Sequence, residues 1–190
     1  MGEDRISLLA RVARMRGAGS SDEGDPHVSI LSLAAASYGA RPTDEATVPT
    51  GFDPQACALF EAIVEGAYLV ASADGVFDDT ERDTFEKVVS AACGGTVSTK
   101  NVADLVADLA DQLSEDGIER RVAAVAEQVG KKSHAREVLR IATLLAQTSE
   151  DVSDVERGVL VRLGKAMGLD DGAVDEALTE VKTALAEPAS

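Results

Sequence analysis

Acid gathers in one short stretch, "ASADGVFDDTERDTF" (71–85), where Asp74, Asp78, Asp79 and Glu81 lie around Gly75. Carboxylates at this density suit two kinds of chemistry. They can hold a divalent cation through hard oxygen ligands, or they can trade protons as an acid–base pair. Proton transfer of that kind needs a dry cleft, and a loop this polar offers none, so an enzyme is not expected. The calcium loop of an EF-hand is excluded by register. With Asp74 at its first position, Val76 stands at the third, Asp79 where Gly belongs, and Phe85 at the last ligand position. A second acidic run, "TSEDVSDVER" (148–157), adds Glu150, Asp151 and Glu156.

Local structure accounts for part of this acid. Asp74-Gly75 reads as a helix stop, with Gly75 free to take the left-handed conformation. Asp78-x-x-Glu81 has the spacing of a capping box, and Ser153-x-x-Glu156 repeats it. Asp74 is different. It follows a helix C-terminus, where the carbonyl dipoles disfavour a negative side chain by roughly 0.3–1 kcal/mol. Glu150 and Asp151 occupy the equivalent place after a later helix. A bound cation would relieve that cost. By position the candidate metal ligands are Asp74, Asp78, Glu150 and Asp151, and the ion expected is Ca²⁺, Mg²⁺ or Mn²⁺. No other cofactor is implied.

The rest of the sequence offers little further chemistry. There is no G-x-S-x-G, P-loop or H-E-x-x-H motif. His134 reads as an exposed residue in the first turn of a helix. Cys57 and Cys93 lack CxxC spacing and sit among apolar residues, so both read as reduced core thiols.

The elements that carry these residues are helical. After Phe52, apolar residues recur at i, i+3, i+4, i+7 over 55–73, 79–93, 99–113, 117–129, 133–148, 154–167 and 171–185. The first of these is apolar on most sides, with Glu61, Glu65 and Ser72 marking a wet edge. Connections of a few residues favour a compact all-α bundle of about seven helices over 52–190. Residues 1–51 read as a basic segment and flexible linkers, partly disordered. The stretch 27–38 is too short and mixed to assign. Shifting the chain by 75 lays "LVASADGVFDDTER" on "LLAQTSEDVSDVER", so a helix–loop–helix unit is expected to occur twice.

A helix ending in A-x-A-D-G and followed by Glu, at Ala71, Ala73, Asp74, Gly75 and Glu81, resembles the TerB family of tellurite-resistance and stress-response proteins. The resemblance covers about residues 55–186. The second unit departs from the motif, with Thr148-Ser149-Glu150 in place of Ala-Asp-Gly and Glu156 retained. The resemblance implies an all-α bundle in which two acidic loops face each other. It also implies a non-enzymatic role in bacterial stress or defence, binding divalent cations and docking partners such as calcium-binding TerD-type proteins. That role carries over to Asp74, Glu81 and Glu156. The other reading of the same residues is an interaction bundle without a specific metal site.

Charge bounds the partners. The net charge of −16 repels phosphate, so nucleic acid is not a partner. No apolar run approaches the ~20 residues of a membrane span, and with no signal-like apolar segment at the start a cytoplasmic protein is expected. Residues 52–190 hold 13 Lys/Arg against 27 Asp/Glu, so the helical part carries most of the acid. The segment "RISLLARVARMR" (5–16) interleaves arginines with apolar residues. It reads either as a frayed helix or tail, or as an amphipathic anchor. The anchor would lie on an acidic surface: its own domain, a partner, or anionic lipid.

Overall fold

The computed structural model describes residues 3–15, 29–41, 52–75, 77–147 and 152–186. Among them the secondary structure is all helical: α1 (Glu3–Arg14), α2 (Ile30–Gly39), α3 (Pro54–Ala71), α4 (Asp79–Ala92), α5 (Thr99–Asp116), α6 (Ile118–Val129), α7 (Lys132–Ala146), α8 (Asp154–Ala166) and α9 (Ala173–Ala186). Seven follow residue 52 and two precede it. The expected total of about seven left out α1 and α2, because segments of ten to twelve residues carry too few turns to separate a helical period from chance. The stretches 16–28 and 42–51, which contain most of the expected linkers, lie outside the described residues.

Two helices form the centre. α3 starts where Asp53 accepts from the Gln55 and Ala56 N–H groups and Pro54 takes the first helical position. It stops at Ser72, whose hydroxyl donates to Tyr68 O at 2.8 Å, and Gly75 then turns the chain with φ of 80°. Between these ends Phe60, Ile63, Val64, Ala67, Leu69 and Val70 are all buried. α7 is buried along almost its whole length, from Ala135 through Ala146 with only Arg136 half-buried. Gly66 brings the two together: its hypothetical Cβ would lie 3.5 Å from Val138 on α7 and 3.7 Å from Val125 on α6. The N-terminal residues of both helices line one open cleft of about 570 Å³, which includes Asp53, Leu59, Lys131 and His134. α3 and α7 therefore run parallel and stop at the same end of the bundle.

The remaining helices wrap this pair. α2, α5 and α6 pack on α3; α1 and α9 pack on α7; α8 touches both. α1 lies in the same core, with Leu9, Ala10, Val12 and Ala13 at 0–1% exposure. Of the alternatives open for the basic segment, docking on its own domain is the one observed. Two polar groups expected at the surface are also drawn in. Glu65 on α3 is 6% exposed, because Arg121 on α6 reaches it with two hydrogen bonds of 2.6 and 2.9 Å. His134 is in the first turn of α7 as expected, but it is half-buried beside the open cleft.

Both cysteines are buried, unpaired thiols, and burial pushes Cys93 up to about 12. Among the described residues no helix is long and apolar enough to cross a membrane.

The glycines make a sharp test of the packing. Gly66 sits in a helix interior where an added methyl meets its neighbours at ordinary contact distance. Gly66→Ala is expected to stabilise the fold by about 0.5–1 kcal/mol through reduced chain entropy. At Gly39 an added Cβ would stand 2.6 Å from the Thr96 carbonyl oxygen. Gly39→Ala is expected to destabilise by about 1–3 kcal/mol. Urea denaturation of the two variants reads both signs.

Candidate functional site

The acidic loop after α3 is built from both of its helix ends. Asp78 is the N-cap of α4, and its Oδ1 accepts from the Thr80 and Glu81 N–H groups at 2.8 Å each. Glu81 returns the contact, its Oε2 accepting from the Asp78 N–H at 3.2 Å. Both halves of the capping box are therefore made. The second box forms too. Ser153 Oγ accepts from the Glu156 N–H at 3.3 Å, and Glu156 Oε2 from the Ser153 N–H at 2.7 Å. So Asp78, Glu81 and Glu156 each have a carboxylate already engaged by backbone at the positive pole of a helix.

Asp74 has another setting. It is exposed, in the turn that follows α3, before Gly75. Glu150 and Asp151 lie outside the described residues. Because α3 and α7 stop at the same end, Asp74 and the end of α7 at Gln147 belong to one face of the bundle. Among the described residues no group of three or more His, Cys, Asp or Glu side chains is arranged to hold a metal ion.

An aromatic ladder seats the first loop. Phe77 lies edge-on between Tyr68 of α3 and Phe85 of α4, with ring centres 5.4 and 5.9 Å away. An aromatic between a helix stop and a cap is the sequence signal for this anchor. Beside the ladder, burial pushes the Tyr68 phenol up, while Arg82 pulls it back and a hydrogen bond from Ser72 does the same. Glu86, one turn beyond Arg82, is 9% exposed. Burial raises its carboxyl above the usual range, Arg82 lowers it, and Asp83 raises it.

The sequence reading missed the cations that serve these helix ends. Arg5 of α1 donates to Gln147 O, at the C-terminus of α7, at 2.7 Å. Arg14 donates to Ala91 O near the C-terminus of α4 at 3.2 Å. In return, Arg140 of α7 donates to Val12 O at 3.2 Å and Met15 O at 2.6 Å, capping α1. Arg140 also forks onto Glu137 at 2.7 and 2.9 Å, and both side chains are under 5% exposed. The only trace of this in the sequence is the spacing of arginines among apolar residues over 5–16.

A second polar region lies away from the loops. Arg41, Glu61, Glu65, Asp108 and Arg121 line a cavity of about 310 Å³ between α2, α3, α5 and α6. Its cations are paired: Arg41 with Glu61 at 3.0 Å and with the Tyr38 ring, Arg121 with Glu65 and Asp116.

No protein-family model, no curated protein and no solved structure matches the chain.

Two outcomes follow from the buried charges. Arg140→Met removes the guanidinium that forks onto buried Glu137 and caps α1, and the expected loss is about 3–5 kcal/mol. Glu137→Met with Arg140→Met should recover only the part owed to the ion pair, as read by chemical denaturation. Glu86 carries the opposite sign. A carboxyl whose folded pKa is raised costs stability once ionised, and that cost is absent below the ordinary glutamate pKa of 4.5. Glu86→Gln is expected to raise Tm at pH 7, with the gain fading as pH falls through the raised folded pKa toward 4.5 and absent below it.

Proposed function

We propose that this chain is a non-enzymatic, TerB-like acidic helical module. In this reading it binds a divalent cation at the end where α3 and α7 stop, and docks partner proteins through that end. The observation that carries the reading is the parallel packing of α3 and α7. It puts Asp74, in the turn that follows α3, on the same face as the C-terminus of α7. The expected internal repeat belongs to the same reading: α3–α4 and α7–α8 are each joined through a loop closed by a capping box. Asp74 is the principal ligand, Glu81 and Glu156 offer their unused oxygens, and Asp78, Glu150 and Asp151 complete the acidic set. The ion is Ca²⁺, Mg²⁺ or Mn²⁺. The partners are proteins of the calcium-binding TerD type, and the setting is bacterial stress response in the cytoplasm.

A second reading is an interaction bundle whose acidity serves solubility and docking alone. It is favoured by the backbone hydrogen bonds that already occupy Asp78, Glu81 and Glu156. Calorimetry of the full chain with Ca²⁺, Mg²⁺ and Mn²⁺ separates the two. The first reading expects saturable binding in the wild type, weakened about tenfold in Asp74→Asn by the loss of one charged ligand. The second expects no saturable site, and an Asp74→Asn variant of equal or slightly higher stability, since a charge leaves the negative end of a helix.

A further inference from the structure

The polar cavity between α2, α3, α5 and α6 has no part in the reading above. Its walls carry three carboxylates, Glu61, Glu65 and Asp108, against two guanidinium groups, Arg41 and Arg121. Arg121 is fixed. It forks onto Glu65 at 2.6 and 2.9 Å and reaches Asp116 at 3.2 Å, so Nε, Nη1 and Nη2 are all engaged. Glu65 is taken up by the same bonds. Asp108 has no ion-pair partner among the described residues, so the cavity is one cation short.

Arg41 shows what kind of cation the walls accept. Its guanidinium carbon stands 4.8 Å from the centre of the Tyr38 ring, and Nη1 donates to Glu61 Oε1 at 3.0 Å. A flat cation is thus held by a ring face and by a carboxylate at its edge. The ring is fixed in place: Tyr38 is 8% exposed and packs on Phe60, with ring centres 4.5 Å apart. The hold on Arg41 is slighter. The Arg41 and Glu61 side chains are 49% and 40% exposed, and ion pairs in that much water contribute little.

We infer that this cavity is a binding site for a small guanidinium-bearing molecule, seated on the Tyr38 ring and Glu61 in place of the Arg41 side chain, with Asp108 supplying a second carboxylate. Other ligands fit worse. An anion would meet an excess of carboxylate, and both guanidinium groups are already bonded. A metal ion would find only one carboxylate not already holding a guanidinium. An ammonium group would lose the flat stacking on the ring. The volume of about 310 Å³ is at the low end of the roughly 300–1,000 Å³ of ligand sites, so the molecule is small. A short alkyl chain on the guanidinium would lie against Ala62, Leu105 and Leu109 of the same walls.

The test is calorimetry of the full chain with n-butylguanidinium, and with n-butylammonium for comparison, on wild type, Arg41→Ala, Asp108→Asn and Asp111→Asn. Asp111 is an exposed acid on the same helix as Asp108 and is not part of the cavity wall. Asp111→Asn therefore removes equal charge and reads the general pull of an acidic chain. The inference expects Arg41→Ala to bind n-butylguanidinium about tenfold more tightly than wild type, and Asp108→Asn about tenfold more weakly, each the effect of one charge-assisted bond. Asp111→Asn should match wild type, and n-butylammonium should bind more weakly than n-butylguanidinium. The chain has two tyrosines and no tryptophan. In a Tyr68→Phe background the probe should therefore shift the ultraviolet absorbance of Tyr38, the one tyrosine left. Equal affinity in wild type and Arg41→Ala overturns the inference, and so does an equal loss in Asp108→Asn and Asp111→Asn. A titration that saturates in no variant overturns it as well.

Discussion

The close parallel contact of α3 with α7 sets everything else in place. Gly66 of α3 faces Val138 of α7 and Val125 of α6 at this contact, with room for one methyl between them. Two consequences follow from the parallel direction. The C-terminal poles of both helices fall at one end, so their negative partial charges add rather than cancel. The loops that follow each helix leave from that same end, and both are acidic. α4 and α8 then start from those loops, and their positive poles receive the capping carboxylates Asp78 and Glu81, and Glu156. The acid is thus divided by helix polarity. The carboxylates at N-termini are stabilised by the poles they face, and Asp74 stands at the other end of a helix.

Arginine answers the negative poles. α1 is short and carries few large apolar side chains, so its attachment depends on more than burial. Arg5 and Arg14 bond carbonyls at the ends of α7 and α4, and Arg140 bonds the carbonyls at the end of α1. Three helix C-termini are capped by guanidinium groups from neighbouring helices, using bonds about twice as strong as neutral ones. Glu137 fixes Arg140 in its buried position, and Arg140 has acceptors for its remaining donors only because α1 is there. A chain of net charge −16 thereby uses some of its scarce cations inside, on backbone. Arg121 is used in the same way, on Glu65.

Much of the local structure was legible in the residues. The capping boxes at Asp78–Glu81 and Ser153–Glu156, the stop at Gly75 and the helices after residue 52 all follow from contacts within four residues of sequence. What was not legible was partnership. Glu65 was read as a surface residue because its neighbours on α3 cannot reveal that Arg121, 56 residues on, will reach it. The short, mixed segments that become α1 and α2 show their amphipathic faces only once there is a core for them to meet. Arg5 and Gln147 are 142 residues apart, and no spacing rule joins them.

By itself the sequence determined an acidic, all-helical architecture and the places where the helices after residue 52 start and stop, because caps, turns and the 3.6-residue period act within one or two turns of chain. Only the tertiary structure decided that α3 and α7 run side by side in the same direction, that Asp74 shares a face with the end of α7, and that the cation at that end comes from α1. Those facts depend on which helices touch, and that is settled by small contacts such as Gly66 on Val138, between residues far apart in the sequence.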